Sequence, residues 1–567
     1  MSPTGASAAP LAQASDFQPP PQVAPIVLAT LNARFIHASL GLRCLLANMD
    51  RHGGPGLRSK TALLEFVIHQ SPTQIVEEVL ALNPSVVGLG IYIWNVVETT
   101  QVVRLLKTLR PDIKVILGGP EVSHEVAEQE ICTLADHVVT GWGDVSFPRL
   151  CQALLYGPQP LMKVVAGEQP PLDELEFPYA EYTAEDLSKR LLYVEASRGC
   201  PFKCEFCLSS LDKTAWAFDL DRFMAELAAL YARGARNFKF VDRTFNLKVG
   251  HSTRILQFFL DRLAELEAQP EKGKLFVHFE VVPDNLPERL KALIAQFPEG
   301  ALQFEVGIQS FNPEVQARVS RQQDNQRTAD NLRWLVEHSH AHVHADLIFG
   351  LPGETLDSFA AGFDKLHALA PHEIQFGILK RLRGTPIARH TAQYAMAYDP
   401  QPPYTILQNS TITFTNLQRI QRFARYWDLV ANSGRFNQAL ELLLHGDPTS
   451  GQGSSVFARF LGFSDWLWQR TRKTHEFALE KLVDLLFIHL TETLGLAMQP
   501  VRQALLADYL ASGARGKPDC LAGLMAGRRE GSGLVVGAEL AQRQSRHVSQ
   551  REAPSHLDAI RKAAAAA

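Results

Sequence analysis

The sequence has no apolar run approaching the ~20 residues that a membrane-spanning helix needs. It has no large excess of either charge: 56 Lys and Arg stand against 60 Asp and Glu, a formal net charge of -4. Nothing in that balance favours nucleic acid or an anionic membrane as a partner. Cysteine is scarce, with seven in 567 residues. A chain this long has no need of a disulfide framework, so a reducing cytoplasm is the expected compartment. The opening stretch 1–25 is rich in Ala, Pro, Ser and Gln. It lacks the basic start and apolar core of a secretory signal and reads as a disordered leader. A G-x-G-x-x-G fingerprint is missing after the first strand, which counts against a nicotinamide cofactor.

What is present is a rhythm. At roughly 100–200 residues per domain the chain should hold about three domains. Short apolar stretches at 26–31, 62–68, 86–92, 114–119 and 137–141 alternate with amphipathic helical sequence. That alternation predicts an α/β fold with a doubly wound, Rossmann-like parallel sheet over 26–165. Ligands of such sheets sit at the carboxyl ends of the strands, where Gly118-Gly119-Pro120 and Gly141-Trp142-Gly143 fall. The Pro-rich, acidic stretch 166–190 reads as a linker. A second strand–helix series follows over 191–390, with strands at 191–197, 237–242, 275–281, 302–309, 343–350 and 373–379. Six units are too few for the common eight-fold barrel, so a partial (β/α)6 barrel, open on one side, is expected. Past it, 391–515 has helical periodicity and is expected to cap the barrel, and 516–567 reads as a mostly disordered tail.

Four cysteines, Cys44, Cys132, Cys151 and Cys520, are scattered and read as core residues. The other three lie together in RGCPFKCEFC, at C-x3-C-x2-C spacing: Cys200, Cys204 and Cys207. Three thiolates suit iron–sulfur or zinc. A structural zinc site wants four ligands, usually as two separated pairs, and no second Cys or His pair lies nearby. Three cysteines can hold three irons of a 4Fe–4S cluster and leave the fourth iron open to a small molecule.

At these residues the chain resembles the radical S-adenosylmethionine superfamily, with the aromatic Phe206 just before the third cysteine. The resemblance runs from about 191 to 387 and extends to the later strand ends. It implies S-adenosylmethionine contacts from Phe206, from Asp242 and Thr244 after strand two and from Glu280 after strand three. It also implies them from Gln309 and Ser310 after strand four, and from Asp346 in strand five. In that family the methionyl group chelates the open iron, and one electron from the cluster splits the sulfonium to give a 5′-deoxyadenosyl radical. The protein orients the cofactor and excludes water.

The N-terminal sheet, coupled to this barrel, is similar to the cobalamin-binding domain of a large subclass of these enzymes. The similarity rests on LNARFIHASLGL, GIYIWN and GGPEVS, and it implies cobalamin contacts from Asn32, His37, Gly41, Tyr92, Trp94, Gly118, Gly119, Pro120, Gly141 and Gly143. Two departures stand out. The D-x-H-x-x-G motif that supplies a lower axial histidine is absent, leaving His37 as the nearby candidate, and the usual Ser-x-Leu is replaced by Tyr92-Ile93-Trp94. Cobalamin without a protein histidine ligand is common in the radical subclass, so the cofactor remains the expectation.

The resemblance therefore implies a cobalamin-dependent radical S-adenosylmethionine enzyme with a 4Fe–4S cluster, S-adenosylmethionine and cobalamin as cofactors. Methylation of an unactivated centre of a small molecule is its most frequent chemistry; no catalytic residue is assigned. Radical cyclisation or rearrangement without net methylation is an alternative. So is methylthiotransfer, although Cys44 and Cys132 cannot make the second cluster those enzymes carry. A non-catalytic cobalamin or redox-sensing module is a third. The implied partners are a small-molecule substrate and a reductant such as flavodoxin or ferredoxin, with no nucleic acid and no membrane span. Two further signals compete with solvated or packing roles: the alternating His338, His340, His342 and His344 as a metal face, and Lys380, Arg381 and Arg383 as an anion-binding rim.

Overall fold

The computed structural model describes residues 23–524 apart from 213, 270, 272 and 447–454. The expected leader up to residue 22 and the expected tail beyond 524 lie outside the described residues.

All seven residues of β1 (Ile26–Asn32) are buried. Val27, Ala29 and Leu31 pack into one apolar cluster and Ile26 and Leu28 into another, so helices cover both faces of the strand. It lies in a six-stranded sheet with β2 (Thr61–Val67), β3 (Val86–Gly90), β4 (Lys114–Gly118), β5 (His137–Thr140) and β6 (Val164–Ala166). The order is β2-β1-β3-β4-β5-β6 and every pairing is parallel. Strand order reverses between β1 and β3, which opens a crevice at their carboxyl ends. The sequence pattern gave five strands. The sixth, β6, is a three-residue edge strand with little burial, so its apolar signal is weak.

The stretch 166–190, read as a linker, is packed. Tyr179 and Tyr182 are each 1% exposed, and their hydroxyls donate to the carbonyls of Glu195 and Tyr193. Thr183 and Asp186 form a capping box on the helix Ala184–Lys189, and Asp186 also pairs with Arg43 at 2.9 Å. Proline breaks regular structure here while the aromatic rings still bury.

The second sheet begins with β7 (Leu192–Val194). A short antiparallel ladder follows, β8 (Ser197–Arg198) against β9 (Trp216–Ala217). Then come β10 (Asn237–Phe240), β11 (Phe276–Val281), β12 (Leu302–Gln309), β13 (His342–Phe349) and β14 (Glu373–Ile378). Its order, β14-β13-β12-β11-β10-β7, is sequential, all parallel, and no ladder joins β14 to β7 among the described residues. This is the expected open barrel of six strands. In β12, Leu302, Phe304, Val306 and Ile308 enter the apolar core, while Glu305, Gly307 and Gln309 line a cavity on the other face.

The N-terminal domain touches both flanks of the gap. On the β7 side His37 bridges to Leu191 and Arg190 pairs with Glu65 at 2.9 Å. On the β14 side the loop after the strand pairs with the loop after β4. The C-terminal helices pack elsewhere. Trp427 and Phe423, on the helix Phe414–Val430, meet Phe363 and Phe376 on the outer layer of the barrel. Among the described residues none beyond Asp346 lines either of the two cavities at the strand ends, and these helices buttress the barrel wall. Packed structure continues to Leu521, inside the stretch read as tail.

Candidate active site

The loop 199–215 is a hairpin closed at its base by the β8–β9 ladder. Gly199 has φ 83°, and a Cβ there would lie 2.0 Å from the Thr214 carbonyl oxygen, so only glycine fits the closure. At the tip, the Glu205 N–H donates to the Val319 carbonyl, and its own carbonyl accepts from the Ile387 N–H. Between these pins Cys200, Cys204 and Cys207 all line one cavity of about 220 Å³ at the carboxyl ends of the barrel strands. Burial pushes the Cys200 thiol up to about 11, with Cys207 and Cys204 adding to the shift. Burial raises the Cys204 thiol as well, so holding these two as thiolates at neutral pH takes a cationic partner of the kind iron supplies. Among the described residues no three His, Cys, Asp or Glu side chains converge on a single ion. Thiols spaced around a cavity instead suit a cluster, in which each cysteine takes its own iron.

Of the residues the sequence singled out for S-adenosylmethionine, Phe206, Thr244, Glu280, Gln309 and Asp346 line this cavity. Asp242 and Ser310 do not. Asp242 accepts from the Ala196 N–H and the Ser197 hydroxyl, and burial pushes its carboxyl up to about 7. The Ser310 hydroxyl donates to Glu354 at 2.7 Å. Both brace the strand ends from behind.

Charged residues that were not singled out complete the wall. Arg243 holds Glu280 through two contacts of 2.8 Å. Arg321 reaches Cys204 Sγ at 3.7 Å and also donates to the Gly307 carbonyl. Lower in the lumen, Glu305 faces His278 Nε2 at 3.2 Å and Lys239 at 3.3 Å. Burial alone would raise the Glu305 carboxyl, but His278 and Lys239 outweigh it and hold it well below the usual range. Asp346 goes the other way: burial, then the charges of Glu305 and Glu280, push it well up. The lumen thus drives two neighbouring carboxyls in opposite directions, Glu305 down and Asp346 up. Arg243 lies within a motif the sequence flagged, one residue beyond Asp242. Glu305 is visible only as a member of the lumen-facing alternation in β12, and Arg321 carries no local signal.

A second cavity, of about 330 Å³, lies at the carboxyl ends of the first sheet. Of the cobalamin candidates, Gly41, Tyr92, Gly118, Gly119, Gly141 and Gly143 line it, whereas Asn32, His37, Trp94 and Pro120 do not. The glycines keep it open. A Cβ at Gly143 would sit 3.0 Å from Leu45, one at Gly41 3.3 Å from the Tyr92 hydroxyl, and one at Gly119 2.4 Å from the Ile91 carbonyl oxygen. A glycine cradle beside apolar walls fits a cofactor tail passing close to the backbone. Asn32 is engaged elsewhere, donating to the His37 carbonyl and to Glu65. His37 Nδ1 is held by the Tyr193 hydroxyl of the barrel at 2.7 Å. Trp94 stacks on Tyr92 at 4.4 Å, with 46% of its surface exposed.

Three side chains on this cavity's wall come from the junction of the domains: Asp144, Glu195 and Arg198. Arg198 spans the Asp144 carboxylate at 2.9 and 3.2 Å, donates to Glu195 at 2.8 Å and approaches Cys44 Sγ at 3.5 Å. Cys44, read as a core residue, is buried as expected, yet it lines the cavity too.

The remaining signals resolve differently. His338 ends a helix and is exposed, His342 pairs with Glu373 at 3.1 Å, and His344 lies 3.6 Å from Asp346, so the four histidines share no metal face. Arg381 and Arg383 form neither an anion site nor a solvated rim. They pair with Glu125 and Glu121 across the domain boundary.

The stretches that carry these cavities are similar to known families. Residues 26–151 match the B12 binding domain family, 194–366 the Radical SAM superfamily, and 392–531 a family of proteins of unknown function, DUF4080. An uncharacterized methyltransferase of Pyrococcus horikoshii is 25% identical over 342 residues, covering 55% of this chain and 70% of that protein. TokK of Streptomyces tokunonensis, a cobalamin-dependent radical SAM methyltransferase, is 25% identical over 52% of this chain but only 46% of its own length. A ribosomal protein uS12 methylthiotransferase of Chloroflexus aurantiacus is 24% identical over 47% of this chain and 55% of its own. The solved structure of OxsB, a cobalamin-dependent S-adenosylmethionine radical enzyme with aqua-cobalamin bound, shares the fold at TM-score 0.55 and 12% identity, over 93% of this chain and 84% of OxsB.

Proposed function

We infer the reaction from one premise: this chain belongs to the radical S-adenosylmethionine enzymes that carry a cobalamin-binding domain. Its cofactors are a 4Fe–4S cluster, S-adenosylmethionine and cobalamin. The reaction we propose is methyl transfer to an unactivated centre of a small molecule. When bound, the cluster supplies an electron to the sulfonium, and cobalamin carries the methyl group.

The observation that carries this reading is the pairing of the cavities. One is ringed by three thiols and the other by glycines, both lie at carboxyl strand ends, and Arg198 and Glu195 of the barrel reach the second. In this reading Cys200, Cys204 and Cys207 hold the cluster, and Thr244, Gln309 and the Arg243–Glu280 pair orient S-adenosylmethionine. Gly41, Gly118, Gly119, Gly141 and Gly143 take the cobalamin tail. His37, outside that cavity and held at Nδ1 by the Tyr193 hydroxyl, is given no role as a cobalt ligand in this reading. Asp346, whose carboxyl burial pushes well up, faces the cluster cavity.

Methylthiotransfer is represented among the relatives. Here Cys132 and Cys151 are buried in different apolar clusters, and Cys44 faces the glycine-lined cavity. They therefore supply no second three-cysteine site.

The test is anaerobic reconstitution with cluster and cobalamin, followed by chemical reduction with S-adenosylmethionine. The expected products are 5′-deoxyadenosine and S-adenosylhomocysteine. Neither forming, with both cofactors bound, would overturn the reading. A product carrying added sulfur would move it to methylthiotransfer.

A further inference from the structure

The residue two positions ahead of the first cluster cysteine lines the other cofactor's cavity. Arg198 closes the cysteine hairpin through the β8–β9 ladder, where it faces Trp216. Its guanidinium points away from the cluster into the glycine-lined cavity. There it is forked onto Asp144, which follows the Gly141–Gly143 turn of the N-terminal domain. It lies over the Trp142 ring at 4.9 Å and the Phe218 ring at 5.6 Å. One cation meets two carboxylates in a nearly dry setting: the side chains of Arg198, Asp144 and Glu195 are 15%, 7% and 10% exposed. The same Arg198 therefore anchors the cluster loop and forms part of the cavity wall.

We propose that Arg198 is a positioning residue that couples the two cavities: a cofactor seated between the glycines holds the Asp144–Arg198 pair, and the pair holds the base of the cysteine hairpin. The inference rests on the cobalamin reading above. A ligand on this wall displaces water from around the ion pair, and with less screening the pair strengthens. A planar guanidinium gripped by a carboxylate and flanked by two rings has little freedom left, so what fixes Asp144 fixes Arg198. Gly199 and the Cys200 N–H, which donates to the Asp212 carbonyl, carry that constraint straight into the cluster loop. Loading one cavity thus stiffens the other, and by linkage an assembled cluster favours cobalamin binding.

Hydrogen–deuterium exchange under anaerobic conditions reads this directly. The full chain with its cluster assembled is compared with and without hydroxocobalamin, and binding is followed separately by cobalamin absorption. In the native chain, cobalamin is expected to slow exchange in 199–215 by about fivefold or more, the lower end of two-site coupling. Asp144→Asn keeps the shape but weakens the grip on Arg198. It is expected to bind cobalamin and lose most of that protection, with the β1 and β3 strands unchanged as the control for folding. Arg198→Lys, which keeps the charge without the fork, should behave likewise. Cobalamin that binds without slowing the loop overturns the coupling and leaves the cofactor reading intact, as does full protection in both variants. Failure of the native chain to bind cobalamin at all overturns both.

Discussion

Glu205 stands between the second and third cysteines and is 3% exposed. Its carboxylate accepts from the Ser320 hydroxyl at 2.6 Å, from His390 Nε2 at 2.8 Å and from Arg389. It therefore ties the tip of the cysteine hairpin to the loop after β12 and to the short helix Pro386–His390. Glu205→Gln keeps the shape and removes the charge. Hydrogen bonds to charged groups contribute about 1.5–3 kcal/mol, so the loop should open at least about tenfold more often. The expected outcome is a folded protein whose cluster absorption decays about tenfold faster under an anaerobic chelator. An unchanged decay would mean that the cysteines alone hold the loop. The thiols were legible because their chemistry is written in eight consecutive residues. Glu205 lies inside the same run but was silent, because its partners lie 115 and 185 positions away. Arg198 was silent for a related reason: nothing in its neighbours marks Asp144, 54 positions earlier, as its partner.

Elements were more legible than contacts. Alternation along β12 and β13 gave the strands, and burial of one face of each follows from that alternation. The pattern does not say what the lumen face does or how the turns are braced. The turn after β13 shows this. Glu354 is 1% exposed, its carboxylate takes the Ser310 hydroxyl, and its carbonyl takes the Thr411 hydroxyl at 2.6 Å. Burial pushes its carboxyl up to about 7 from an ordinary 4.5. A carboxyl raised on folding binds its proton more tightly in the native state. Its contribution to stability is complete below its unfolded value and is lost as pH rises through its folded one. Glu354→Gln, a neutral isostere, has no such loss. Relative to the native chain the variant should gain stability from about pH 5 to about pH 8, by on the order of 3 kcal/mol. Denaturant midpoints of the two proteins across that range check it. A difference that does not change with pH would place Glu354 in its ordinary titration range.

On the scale of the molecule, the open side of the barrel decides the design. Six strands leave a gap, and the N-terminal domain meets both of its flanks. On the β7 flank it does so through Arg43, Glu65, Asp186 and Arg190. On the β14 flank, Glu121 is 4% exposed and accepts from the Tyr404 hydroxyl at 2.6 Å and from Arg383 at 3.0 Å. Glu125 takes Arg383 at 2.7 Å and Arg381 at 2.9 Å. The basic run read as an exposed rim because its acids lie 256 to 262 positions away, beyond any local pattern. Breaking one side of a buried pair costs about 3–5 kcal/mol, because the abandoned charge stays buried, whereas an apolar pair of like volume can be neutral. Arg383→Ala should therefore loosen the docking of the two domains. Exchange should rise in 119–126 and 379–386 while the strands of both sheets stay protected. The double variant Glu121→Leu with Arg383→Met should recover most of that protection, since neither charge is left alone. If the single variant exchanges like the native chain, the β7 flank alone holds the domains. If the double variant is as loose as the single, the latch depends on the fork to Glu125 and not on relief of a buried charge.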